Sequence, residues 1–296
     1  MARTWLVTGS SSGFGRAIVE AALKQGDRVI ATLRKPSVLD DLVAKTSSEQ
    51  LLVVKCDVSV ASDIKNAFEQ GVAKFGGMDI VFNNAGYAIF AEVESTPEDA
   101  ARKMFDVNFW GASNVSREAV RVFRDVNAKG KGGWLFNVCA RYLFAYESED
   151  AFLMTFDSKH ALEGLTEGLV QELDPTWNIK VTLLELDLFK TKSQDENLFK
   201  FPSIKPYAEN AAFQGLRSGY EASVAPGDIT KAARRVVEVS YLKDKKDAKI
   251  PLHWTMGKFA TAQGPAKLRN TVKEMEDFES WSDNLMLNEE YKPLVL

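Results

Sequence analysis

Apolar residues come in two alternating kinds of run over the first two hundred positions. One kind is short and continuous. Segments 5–7, 28–32, 51–56, 78–82, 133–138 and 180–185 are apolar on both faces. That pattern predicts strands covered by helices on each side. The other kind is longer and repeats at helical spacing. In 15–25 the stripe is Ile18, Val19, Ala22 and Leu23; in 156–172 it is Ala161, Leu162, Leu165 and Leu169. Segments 62–75 and 97–107 follow the same rule. Strand and helix taking turns in this way predict a doubly wound parallel sheet of the α/β class, with ligands at the carboxyl ends of its strands.

The alternation loosens after residue 191. Segment 192–226 mixes Pro202, Pro206, Gly215 and Gly219 with aromatics, which predicts a substrate lid rather than a second domain. A helix is expected over 228–241, an edge strand over 248–252 and a charged surface helix over 265–286. The expected organisation is one domain over 1–296, with its core in 3–191 and 228–255.

Composition narrows the partners. A 45% hydrophobic and 26% charged chain is an ordinary globular one and excludes wholesale disorder. A net charge of −4 lacks the basic excess of a nucleic-acid binder. No run approaches the ~18 apolar residues of a membrane span, so neither nucleic acid nor membrane is expected as a partner. Two cysteines, Cys56 and Cys139, make no disulfide framework, and two histidines, His160 and His253, make no expected metal site. A reduced, cytoplasmic setting follows.

The first strand runs into Thr8-Gly9-Ser10-Ser11-Ser12-Gly13-Phe14-Gly15-Arg16. Three glycines where strand becomes helix let the backbone turn tightly and approach a pyrophosphate. The helix that follows offers free N–H groups and the positive end of its dipole. The three serines add hydroxyl donors, and the whole is a Rossmann-type phosphate loop. The second strand ends in Thr32-Leu33-Arg34-Lys35, with no acid before Asp40. A carboxylate there would take the 2′-hydroxyl of NAD; Arg34 instead suits a 2′-phosphate, with Lys35 and Arg16 as helpers. The expected cofactor is NADP(H).

The Gly-x3-Gly-x-Gly spacing, Asn83-Asn84-Ala85-Gly86 after the fourth strand and Ser158-Lys159 opening a later helix carry a resemblance. The chain resembles the short-chain dehydrogenase/reductase family, and looks most like its fungal secondary-metabolism members. The resemblance covers 3–191 and, more loosely, 228–255. It implies that Gly9, Ser11, Ser12, Gly13, Phe14 and Gly15 wrap the pyrophosphate and adenosine ribose. It implies that Asp57 and Val58 hold the adenine, and that Asn84, Ala85 and Gly86 lie beside the adenosine ribose. Asn108 matches an asparagine that anchors a proton-relay water, Lys159 a lysine on the nicotinamide ribose, and Thr191 a contact to the carboxamide. It also implies a homodimer through helices at 97–123 and 156–172.

The family's proton-transfer residues are replaced. Its tyrosine stands four residues before the lysine, where this chain has Thr155. Its serine follows the fifth strand, where this chain has Cys139-Ala140, or Tyr142 when counted back from Lys159. Asp187 stands where a glycine usually meets the cofactor. Three readings are open. Hydride passes to an iminium or another acceptor that needs no tyrosine proton, with Asp157 or Asp187 pairing with the cation. Alternatively the pocket guides cyclisation or isomerisation without net redox, its walls drawn from Tyr142, Phe144, Tyr146, Phe152, Phe156, Phe189 and Trp254. Or the chain is a non-catalytic NADP(H) sensor. Plainer roles stand beside these. Asp157 suits the first turn of its helix, Asp187 a solvent-facing turn, and Cys139 a packed position. Phe105, Phe109 and Trp110 suit a helix core or subunit contact.

Overall fold

The computed structural model describes residues 2–139, 154–187, 189, 198–211, 214, 215, 218, 227–245 and 248–283. Its strands are β1 (Thr4–Thr8), β2 (Arg28–Leu33), β3 (Leu51–Lys55), β4 (Ile80–Asn83) and the short β5 (Ala88–Phe90). They continue with β6 (Gly133–Cys139), β7 (Ile179–Leu186), the short β8 (Leu198–Lys200) and β9 (His253–Met256). Seven of them form one parallel sheet in the order β3-β2-β1-β4-β6-β7-β9. The helices are α1 (Gly13–Lys24), α2 (Asp40–Val43), α3 (Ala61–Phe75), α4 (Glu98–Phe105), α5 (Ala112–Arg121) and α6 (Met154–Glu172). After them come α7 (Lys205–Ala208), α8 (Ile229–Ser240) and α9 (Lys258–Asp277). The expected doubly wound, Rossmann-type sheet is the fold.

All five residues of β1 are buried, because alternate side chains enter cores on opposite faces. Trp5 and Val7 pack with Ile18 of α1 and Val236 of α8. Leu6 packs with Phe68 of α3 and Ala119 of α5. Truncating a ring as buried as Phe68 to alanine costs about 3–5 kcal/mol in such a core. The chain leaves the β3 edge and returns to pair β4 with the other side of β1, with Leu6 opposite Val81. Strand order reverses there, and a crevice opens at the carboxyl ends of β1 and β4.

Several boundaries differ from expectation. The last strand is His253–Met256, not 248–252. Pro251 has no N–H for a ladder and precedes the strand, although Leu252 still accepts from Leu183 N at 2.6 Å. The C-terminal helix is Lys258–Asp277, not 265–286, and Pro265 lies inside it rather than in its first turn. The helix at 97–107 continues through wider, π-type turns at Asp106–Gly111 into α5. Residues 198–200, within the stretch read as a lid, form β8 and pair in parallel with β5, Ala88 opposite Leu198. No helix among the described residues is long and apolar enough to cross a membrane.

Candidate active site

The phosphate loop is held by close backbone contacts that only glycine permits. Gly9 has φ +67°, and a Cβ there would stand 2.9 Å from Ala85 Cα. A Cβ on Gly15 would stand 2.3 Å from the Gly9 carbonyl oxygen. Helix α1 and the loop are therefore in van der Waals contact. Thr8, which sequence reasoning passed over, locks the loop to the next strand. Its Oγ1 accepts from Asn84 N at 2.8 Å and Ala85 N at 2.9 Å, while Asn84 Nδ2 donates to the Thr8 carbonyl at 3.1 Å. Ser12, the N-cap of α1, makes no side-chain cap bond, so the first N–H groups of the helix keep their capacity for an anion. Ser10 does not serve as a hydroxyl donor to the loop's ligand: it is buried and donates to Val7 O at 2.8 Å.

These residues open onto one cavity of about 720 Å³. Gly9, Ser11, Ser12, Gly13 and Phe14 line one end. Arg34, Asp57 and Val58 line the side beyond β2 and β3, and Asn84, Ala85 and Gly86 the floor. Gly15 stands behind the loop. Arg34 is exposed and forms no ion pair with a described carboxylate. Arg16 is committed elsewhere. It bonds Glu20 at 2.9 Å and Asp41 at 2.6 Å, and these carboxylates, Glu20 foremost, raise its pKa. Asp57 Oδ1 accepts from Ser59 N and Oγ, fixing the turn after β3. Burial, with Asp63 and Asp57 near, pushes the Cys56 thiol up to about 12.

Asn108 and Lys159 converge on Gly86. A Cβ built there would lie 2.9 Å from Asn108 Oδ1 and 3.5 Å from Lys159 Nζ. Asn108 is fully buried in the π-type turns. Its Oδ1 accepts from Tyr87 N at 3.1 Å, and its Nδ2 donates to Tyr87 O at 2.9 Å and Ser158 Oγ at 3.1 Å. Lys159 is buried and donates to Val138 O at 2.8 Å; desolvation lowers its pKa. Asp157 is exposed in the first turn of α6. Tyr142 and Thr191 lie outside the described residues, as does the side chain of Thr155.

Asp187 does not turn to solvent. It is buried, lines the cavity, and its N–H donates to Met256 O at 2.9 Å. Its Oδ2 accepts from Ala260 N at 3.4 Å in the first turn of α9, where an acid meets the positive end of the helix. Gly257 makes room: with φ +121°, a Cβ there would stand 2.2 Å from Asp187 Cβ. The contact lies at the start of α9, ahead of the expected start at residue 265.

The aromatic walls also differ in part from expectation. Phe189 lines the cavity and stacks on Phe14 at 6.2 Å. Trp254 packs on the sheet core, away from the cavity lining. Tyr87 and Phe199, edge to face at 5.2 Å, supply a wall that sequence reasoning missed. Burial, with Asp106 adding to it, raises the Tyr87 pKa. Away from the cavity, His253 Nδ1 meets Glu185 Oε1 at 2.8 Å and its Nε2 meets Glu167 Oε1 at 3.3 Å. Neither partner is near it in sequence, so no local signal announces the contact.

Comparison with known proteins places this geometry. The family model for short chain dehydrogenases matches residues 3–199. Oxidoreductase calM of Penicillium decumbens is 31% identical over 92% of this chain and 91% of its own length. Oxidoreductase BOA17 of Botryotinia fuckeliana is 36% identical over 80% of this chain and 85% of its own. A crystallised short-chain dehydrogenase from Streptomyces avermitilis superposes with a TM-score of 0.79 at 31% identity, covering 95% of this chain and 97% of that one. The chain belongs to the short-chain dehydrogenase/reductase family.

Proposed function

We propose that the chain is an NADP(H)-dependent oxidoreductase that passes hydride to a small secondary-metabolite intermediate whose acceptor needs no tyrosine proton, an iminium above all. Arg34 carries the reading: a guanidinium without an ion-pair partner among the described residues, on the wall of the glycine-loop cavity, where an NAD site would place an acid. The residues fit the dinucleotide. The loop from Gly9 to Gly15 and the uncapped start of α1 would hold the pyrophosphate, and Arg34 the 2′-phosphate. Asp57 and Val58 would hold the adenine, Asn84, Ala85 and Gly86 the floor, and Lys159 and Thr191 the nicotinamide end. When bound, the cofactor supplies the hydride.

Thr155 in place of the tyrosine supports an acceptor that is already cationic. Hydride adds to the iminium carbon, the C=N π pair moves to nitrogen, and a neutral amine results, so no proton is needed. Asp187, in the cavity wall, is the acid placed to face such a cation; Asp157 stands further out. The aromatic wall of Tyr87 and Phe199 favours a second reading, in which the same pocket guides cyclisation or isomerisation without net redox. We place the chain in the cytoplasm, which suits two buried cysteines that form no disulfide.

Calorimetric titration with NADPH, NADP+ and NADH tests the site. Micromolar or tighter binding selective for the 2′-phosphate supports the reading, and equal affinity for NADH refutes the cofactor assignment. Deuterium at C4 of NADPH must then appear in product from a cyclic iminium panel. Product without NADPH oxidation gives the site to the non-redox reading; binding without turnover of any substrate gives it to a sensor.

A further inference from the structure

Helix α9 carries an apolar stripe on the outside of the molecule. Leu268, Val272 and Met275 are 46%, 52% and 69% exposed, and their spacing of four and three residues puts them on one face. Phe278 and Trp281 extend the stripe past the helix end, with ring centroids 4.6 Å apart. Single exposed apolar residues are ordinary on a monomer, but a run of this length marks a contact surface.

The charges beside the stripe identify what covers it. At 100° per residue, Arg269 and Glu276 fall on one flank of the stripe, and Lys267 and Glu274 on the other. On each flank the base precedes the acid by two turns. A second α9 laid antiparallel across the first, with a two-fold axis beside Val272, meets it like flank to like flank. Arg269 then faces Glu276 of the partner subunit, and Leu268 packs on Met275 of the partner subunit. Parallel pairing would oppose each of these bases to a base and each acid to an acid. The stripe is self-complementary in one orientation, and that orientation closes into a two-fold pair.

We propose that α9 pairs antiparallel with α9 of a second copy of this chain, through Leu268, Val272 and Met275, with Arg269–Glu276 pairs at the rim. This surface is separate from the helices at 97–123 and 156–172. It does not depend on the reading of the cavity.

Sedimentation velocity of the full chain across a concentration series tests it. The wild-type chain is expected to associate. Val272→Asp, on an exposed position at the axis, should abolish the step, with helical content unchanged by circular dichroism. Arg269→Glu alone, and Glu276→Arg alone, should each weaken it at least ten-fold. The double variant R269E/E276R should restore it, because reversal of both charges recreates both pairs. A wild-type chain that stays monomeric overturns the proposal in favour of a contact within the chain or with a different protein. Association that ignores Val272→Asp assigns assembly to another face, and a double variant that fails to recover overturns the antiparallel register.

Discussion

The amine of Lys159 donates to the carbonyl oxygen of Val138 at 2.8 Å, inside the protein and away from water. Desolvation lowers its pKa from the ordinary 10.5, so the folded state binds fewer protons than the unfolded chain between the lowered value and 10.5. Stability should therefore rise with pH through that window. Urea unfolding at pH 7, 8, 9 and 10 should show the rise in wild type and a smaller one in Lys159→Met. Identical slopes in the two proteins would remove Lys159 as the cause.

Arg34 and Arg16 make opposite forecasts. If Arg34 holds the 2′-phosphate as proposed, Arg34→Ala removes a charge-assisted contact worth about 1.5–3 kcal/mol, so NADPH affinity should fall about 10- to 100-fold with NADH affinity unchanged. Arg16→Ala should leave the NADPH preference alone, because its guanidinium is already held by Glu20 and Asp41. Calorimetry on both variants reads the difference.

Thr8→Val keeps the shape of the side chain and deletes the acceptor for two backbone N–H groups, those of Asn84 and Ala85. Each N–H left without its partner costs about 1–3 kcal/mol. Chemical denaturation should show a loss of at least ~2 kcal/mol, accompanied by weaker dinucleotide binding because the loop floor loosens. A loss confined to binding, with stability intact, would contradict the structural role.

His253→Ala deprives the buried carboxylate of Glu185 of its ring nitrogen. The expected cost is about 1–3 kcal/mol for the lost hydrogen bond. Adding Glu185→Leu reads the coupling of the pair, and its cost should be smaller in His253→Ala than in the wild type. Thermal melts of the four proteins complete the cycle.

The central sheet and the phosphate loop were legible because their signals are local. A buried parallel strand is a short apolar run, as at 133–138, and Gly9, Gly13 and Gly15 announce a turn before a helix. The place of Arg34 on the cavity wall follows from an equally local signal, since it stands one residue past the end of β2. Features built by distant segments were not legible. Ala88–Phe90 and Leu198–Lys200 are three-residue strands whose pairing depends on residues far apart in the chain. The C-terminal helix is expected from residue 265, yet it begins at Lys258, where its first turn meets Asp187 from a distant segment. The bonds of Asn108 to Tyr87 needed π-type turns, which leave no spacing signature.

The strand order has a consequence for the life of the chain on the ribosome. Residues 9, 34, 57, 86 and 187 line one cavity only when β7 has docked beside β6 and β4 beside β1. A nascent chain that has released the glycine loop, or even both halves of the first βαβ unit, owns the motif without a pocket. A nucleotide bound as proposed would thus be a ligand of the finished sheet, and at a hundred times its dissociation constant it would add about 2.7 kcal/mol to the native state alone. Supply of dinucleotide would then set how much newly made protein survives quality control, quite apart from how fast it turns over.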